Sequence, residues 1–216
     1  MVLNGGDLDG ARLISGDLLA EATRFQACNH PDVDDGYGLG FALAEWRGRT
    51  LANHDGGLPG VTTRIVVSQS DGVGVAVLSN GGDLLFTRRI AEGLLESELR
   101  LEPEAIPGSP RGVPPGQESE WADFTARVTG RYKMVDFAPP GVMKLIAGLM
   151  AKPRLTHFAD NVLVLEGAGY QPAYLYPDGE VGRYRLALPL ANGSRVVIEE
   201  EGGTHIWASI LHMEKR

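Results

Sequence analysis

An interruption in the middle constrains this chain most. From Leu101 to Glu120 the sequence reads LEPEAIPGSPRGVPPGQESE, with five prolines and three glycines in twenty residues and almost no apolar periodicity. Proline lacks a backbone donor and fixes φ, so neither a regular helix nor a paired strand runs through such a stretch. It predicts an extended linker over the surface. A chain of 216 residues makes one large domain or two ordinary ones. The linker argues for two: a region over 1–100, the linker over 101–120, and a region over 121–216, with no internal repeat relating the halves.

Each half has the means to bury a core. Hydrophobic residues make up 43% of the chain and charged residues 22%, which fits a globular protein and not a disordered one. Twenty-nine glycines and thirteen prolines predict many tight turns, hence strands more than long helices. The formal net charge of −8 leaves no basic stripe to displace counterions from phosphates, so no nucleic-acid partner is expected. Cys28 is the one cysteine, which excludes an intramolecular disulfide and a cysteine-rich zinc site. Residues 1–6 break at Gly5-Gly6 before any apolar run forms, so no signal peptide is expected there. No segment reaches the roughly 20 apolar residues a membrane span needs. The expectation is a soluble protein, in the cytoplasm or the periplasm.

Before the linker, Ser15 can cap a helix over GDLLAEATRFQ, with Leu18, Leu19, Ala22 and Phe25 on one face. A polar loop, NHPDVDDG, follows. YGLGFALAEW and RTLANHD read as two strands joined at Arg47-Gly48. TTRIVVSQSDGVGVAVLSN is the clearest hairpin, turning at Ser70-Asp71-Gly72. Its second run is apolar enough to suggest burial on both faces. DLLFTRRIAEGLLESEL reads as a helix with a stripe of Leu84, Leu85, Ile90, Leu94 and Leu95.

After the linker, WADFTARVTGRY leads into short strands: RLTHFA, NVLVLEG, AYLYP, GRYRLALPL, SRVVIEE and HIWASILHME. Short strands separated by turn signals predict a small barrel or sandwich. The stretch from Pro139 to Pro153 reads as a short helix at a barrel mouth; a membrane-surface helix over Val142 to Met150 is the alternative, but one lysine and no basic face favour packing against the barrel. The fold class is therefore α+β: an antiparallel sheet with flanking helices, then a small mainly-β barrel domain.

Chemistry concentrates at NHDGGLPG, Asn53 to Gly60. A histidine or aspartate at a strand end is more often a packing or turn residue than a catalyst. Glycines beside them change the weighing, because a strand edge without side chains lets a substrate carbonyl approach backbone N–H groups. Such a donor stabilises an oxyanion by on the order of 3 kcal/mol.

Taken in order, LNGGDLDGARLIS, YGLGFAL, NHDGGLPGVTTRIVV and GVGVAVLSNGG followed by a helix resemble the C-terminal part of the serine β-lactamase-like hydrolases. That family includes class C β-lactamases, D-alanyl-D-alanine carboxypeptidases, D-amino-acid peptidases and esterases. The resemblance covers roughly residues 1–98, most specifically Tyr37 to Asn80. It implies that His54-Asp55-Gly56 is the third active-site box, Lys-Thr-Gly or His-x-Gly in relatives, on an edge strand lining the cleft. By the same resemblance His54 faces the substrate, Asp55 and Gly56 contribute to substrate binding, and the N–H of Gly57 is an oxyanion donor. Gly130-Arg131-Tyr132 and the strands after it resemble the small lipocalin-like barrel appended to many of these enzymes.

The chain also departs from the family. Serine is a poor nucleophile without a nearby base, and these enzymes place theirs in Ser-x-x-Lys, with a Tyr-x-Asn or Tyr-x-Ser box after it. No serine here has lysine three residues on, and no tyrosine begins the second box. In relatives both boxes precede anything that matches Met1. The expectation is a C-terminal fragment of a serine hydrolase that does not turn over substrate by itself, its partner in the complete enzyme being a small acyl substrate. Self-association through a sheet edge and an apolar face left open is also expected.

The alternative is a non-catalytic module that binds a small molecule or a protein through the barrel. Tyr170, Tyr174, Tyr176 and Trp207 could line a pocket there, although strand aromatics are more often core. No cofactor and no metal is expected: no second histidine or carboxylate cluster converges in sequence on His54 and Asp55, and His157, His205 and His212 read as strand-surface or packed residues.

Overall fold

A computed structural model describes residues 1–106, 108–135, 151–168, 172–188, 191–209 and 211–216. The chain separates into two compact units, Met1–Cys28 with Asp35–Glu104, and Asn29–Asp34 with Ala105–Arg216.

In the first unit a short antiparallel pair, β1 (Asp7–Leu8) and β2 (Ala11–Arg12), precedes helix α1 (Gly16–Ala22). Ser15 caps α1 as expected, its Oγ accepting the Leu18 N–H at 3.2 Å. The helix stops four residues short of Gln26 because the backbone there is engaged elsewhere. The N–H groups of Gln26 and Ala27 both donate to the Tyr37 carbonyl, at 2.8 and 3.0 Å. Gly38 permits this close approach, since a Cβ there would lie 2.1 Å from the Ala22 carbonyl oxygen.

Five antiparallel strands follow: β3 (Asp35–Tyr37), β4 (Ala42–Trp46), β5 (Arg49–Leu58), β6 (Val61–Ser68) and β7 (Val73–Ser79), laid side by side in chain order. Arg47 and Gly48 both take positive φ, 52° and 77°, as the two-residue hairpin turns that suit right-handed strand twist require. The β6–β7 hairpin forms where its β-branched runs place it. However, β7 is an outer strand of the sheet and alternates half-buried with exposed residues, so it is not buried on both faces.

Helix α2 (Leu84–Glu98) covers one face of this sheet, capped by Asp83, whose Oδ1 accepts from Leu85 and Phe86 N–H at 2.9 and 3.1 Å. Such a cap stabilises a helix by about 1 kcal/mol. The core joins Ala91 and Leu95 of α2 to Leu51 and Val66 of the sheet. The helix is rotated from the face its leucines suggest: Thr87, Ala91, Glu92, Leu95 and Glu96 are buried, while Leu94 is 50% exposed. Two glutamates turn inward, with Arg64, Arg88 and Arg89 near Glu92 and with Arg47 and Arg89 paired to Glu96.

The second unit begins with helix α3 (Glu118–Val128), which starts inside the proline-rich stretch. Eight strands then close into a barrel: β8 (Gly130–Val135), β9 (Arg154–Ala159), β10 (Val162–Glu166), β11 (Ala173–Pro177), β12 (Arg183–Leu188), β13 (Ala191–Glu199), β14 (His205–Ala208) and β15 (Leu211–Lys215). Each pairs antiparallel with its neighbours, and β8 sits between β15 and β9 to close the ring. Inward side chains such as Leu163, Leu175, Val196, Ile206 and Met213 pack with Trp121, Phe124 and Val128 of α3 into one cluster. Each fully buried aliphatic side chain contributes roughly 2 kcal/mol. HIWASILHME reads as one run but folds as two strands, with Ser209 at φ 53° in the turn between them; no glycine, asparagine or proline marks that turn. Tyr132 of the GRY segment is buried, its hydroxyl donating to the Val128 carbonyl.

Asp178, 2% exposed, ties the proline-rich stretch to the barrel. Its Oδ1 accepts from the Arg111 backbone N–H and from Arg111 Nε, each at 3.1 Å, and its Oδ2 from Arg185 Nε at 2.9 Å. Gly112 N–H donates to the Pro177 carbonyl at 2.9 Å. Of the expected Pro139–Pro153 helix, residues 139–150 lie outside the described residues and residues 151–153 are not helical; Tyr170 also lies outside them. Among the described residues no helix is long and apolar enough to cross a membrane.

Candidate cleft strand

His54, Asp55, Gly56 and Gly57 all lie on β5. Pairing with β4 ends where Ala42 faces Asn53, whereas pairing with β6 runs on until Leu58 faces Val61. Among the described residues, the five from His54 to Leu58 therefore pair with a strand on one side only. Asn53 marks the end of the β4 ladder, its Nδ2 donating to the Ala42 carbonyl at 3.1 Å.

Because strand side chains alternate, His54 and Asp55 point to opposite faces. His54 is exposed on the face away from α2, directly across from Ile65, itself 48% exposed. Asp55 points toward α2, where Arg64 Nη1 donates to its Oδ1 at 2.6 Å and Arg88 Nη2 to its Oδ2 at 2.7 Å. Burial pushes the Asp55 carboxyl up, but the two guanidiniums outweigh it and hold the group below its ordinary value. Arg64 also reaches Asn53 Oδ1 at 3.3 Å, so one buried guanidinium braces both ends of the Asn53–Asp55 segment.

Behind this pair, Glu92 is 7% exposed. Burial raises its carboxyl from 4.5 to about 7, against the pull of Arg64, Arg88 and Arg89. Gly56 and Gly57 leave the strand bare. A Cβ at Gly56 would fall 2.5 Å from Thr63 Oγ1, and one at Gly57 would sit 3.1 Å from Leu84 Cδ1. The arrangement is an open strand edge, one exposed imidazole and a buried ionic brace holding the segment from behind.

Arg64, Arg88 and Glu92 belong to no motif. Arg64 alone has a signal, as an arginine inside the β-branched run TTRIVV, where a half-buried strand calls for a polar partner. Among the other singled-out residues, His157 is exposed on β9 and Tyr174 packs edge-on against Phe158, with ring centroids 5.3 Å apart. His205, Trp207 and His212 come together on β14 and β15. Among the described residues no group of three or more His, Cys, Asp or Glu side chains converges as a metal site.

No family model matches the chain, and no curated protein matches it. Among solved structures it is similar to the octameric penicillin-binding protein homologue from Pyrococcus abyssi, with 19% identity over 100% of this chain and 44% of that one, at a TM-score of 0.42. It is also similar to SurE with D-Leu, with 18% identity over 94% of this chain and 44% of that one, at a TM-score of 0.48. A further SurE structure aligns with 19% identity over 94% of this chain and 43% of that one, also at 0.48. The chain spans less than half the length of the solved structures it matches.

Proposed function

We propose that the first unit supplies one wall of the acyl-transfer cleft of a serine β-lactamase-like hydrolase, with β5 as the cleft strand. The observation that carries the reading is the unpaired edge of His54–Leu58, which puts an exposed imidazole and a side-chain-free Gly56-Gly57 backbone at one place. His54 polarises the substrate or holds its carboxylate, and the Gly57 N–H is an oxyanion donor. Gly56 and Asp55 serve substrate binding through the strand backbone, the Asp55 side chain being held by Arg64 and Arg88. The nucleophile and its base come from a Ser-x-x-Lys and a Tyr-x-Asn or Tyr-x-Ser segment that these 216 residues do not contain. The outer edge of β7 and the exposed Ile65 and Leu78 support self-association through the same unit.

The test is to read the gene upstream of the Met1 codon and assay the product against β-lactams, D-amino-acid amides and simple esters. An in-frame segment with both boxes is expected, as is hydrolysis by the joined protein that falls about 100-fold in kcat/KM on His54→Ala. The 216-residue chain alone is expected to gain no mass on incubation with a penicillin. A stop codon with neither box upstream, or a penicillin adduct on any serine of this chain, overturns the reading. In the first case the non-catalytic binding module centred on the barrel takes its place.

A further inference from the structure

We infer that His205 and His212 form a binding site for a divalent transition-metal ion of the zinc, nickel or copper class on the outer face of the barrel. The inference is independent of the hydrolase reading, because every residue it uses belongs to the second unit.

Alternation on β14 and β15 places the pair. Ile206, Ala208 and Met213 point into the barrel core, so His205, Trp207 and His212 point out. Across the two strands Trp207 faces His212 directly, and His205 Nδ1 comes within 3.1 Å of His212 Nε2. Two imidazole nitrogens each 2.0–2.1 Å from one ion, and 3.1 Å apart, subtend about 98° at that ion. This lies between the roughly 90° of an octahedron and the roughly 109° of a tetrahedron. Without an ion the same separation holds one N–H···N hydrogen bond. On binding, the donating ring would carry its proton on its other nitrogen, leaving both facing lone pairs to the ion.

A third histidine is close but committed. His30 Nδ1 accepts the Asp32 N–H at 3.1 Å, so in the neutral ring Nε2 carries the hydrogen, and that atom lies 3.3 Å from Glu199 Oε1. His30 therefore serves as a wall of the site, its ring 5.0 Å from Trp207.

The surroundings favour a cation. Across the sheet His205 lies between Glu199 of β13 and Glu214 of β15. Two nearby positive groups are held in ion pairs: Lys133 with Glu214 at 2.8 Å, and Arg183 with Glu199 and Asp32 at 3.0 and 2.6 Å. Since no third donor converges among the described residues, the two nitrogens are the protein's inner sphere and water fills the rest. Such a site is open and exchangeable. Sequence could not show it, because His-x6-His becomes a pair only when the chain turns at Ser209.

Trp207 supplies the readout, with ring centroids 5.3 Å from His205 and 5.0 Å from His212. Titrating the intact chain with Ni²⁺ or Cu²⁺ is expected to quench its fluorescence saturably, with one equivalent at micromolar concentration. Zn²⁺ should reverse the quenching by competition, and Trp207→Phe should remove it. His205→Ala and His212→Ala are each expected to weaken binding at least tenfold, with His157→Ala as the unaffected control. On the unsubstituted protein, imidazole ¹⁵N shifts on Zn²⁺ addition should move at His205 Nδ1 and His212 Nε2, which keeps the test decisive if a variant misfolds. Quenching that does not saturate below about 1 mM, that survives the double substitution, or that leaves those two nitrogens unshifted overturns the site.

Discussion

Asp55 and Arg64 face each other directly across β5 and β6, with Oδ1 and Nη1 2.6 Å apart, and Arg88 holds the other carboxylate oxygen from α2. Arg64 is 6% exposed, so removing its partner strands a buried positive charge. Asp55→Asn is expected to cost the first unit about 3 kcal/mol, measured as a lower urea midpoint followed by the fluorescence of Trp46. The stabilisation from Asp55 is present above its unfolded carboxyl value of about 3.8 and fades as pH falls through its lower folded value. An unchanged midpoint would mean that the brace contributes nothing.

Glu92 has the opposite dependence. Its folded carboxyl sits at about 7 against 4.5 unfolded, so the folded state holds a proton that the unfolded state has released. Stability is full below pH 4.5, falls as pH rises toward 7, and is level above, a loss on the order of 3 kcal/mol from this group. Glu92→Gln should flatten that stretch of the profile and stabilise the protein at pH 8. A profile identical to the unsubstituted protein's would refute the buried-proton account.

Asp178 plays the corresponding part in the second unit. Burial raises its carboxyl, but hydrogen bonds and charge from Arg111 and Arg185 bring it below the ordinary value. Asp178→Asn should lose about 3 kcal/mol, with the transition read at Trp121, and should expose the Arg111–Gly112 segment to proteolysis. Cleavage at the same rate as before would show that other contacts hold this segment.

The open face around Ile65 and Leu78, 48% and 80% exposed, together with the free edge of β7, is expected to drive association. Light scattering should show mass rising with concentration, and Ile65→Lys with Leu78→Lys should abolish the rise. A strict monomer at every concentration would contradict the expectation.

Much of the architecture was legible because it is local. The β6–β7 hairpin, the Arg47-Gly48 turn, the Ser15 cap and the barrel strands follow from alternation and turn chemistry within a few residues. The misreadings were also physical. Glu92 and Glu96 turn inward on α2, where Arg64 and Arg47, distant in sequence, lie near them together with Arg88 and Arg89 of the same helix. The β14–β15 turn went unseen because its φ > 0 residue is a serine.

Of the candidate site, the order of residues alone shows His54-Asp55-Gly56-Gly57 and the lack of a Ser-x-x-Lys box in these 216 residues. The rest depended on pairing between distant segments. The β4 ladder stops at Asn53, Arg64 and Arg88 capture Asp55, residues 29–34 join the second unit, and His205 meets His212. Local rules decide what a segment becomes and which of its residues share a face. Which face is buried, and what is buried against it, depends on contacts whose loop-closure cost and apolar gain belong to the whole chain.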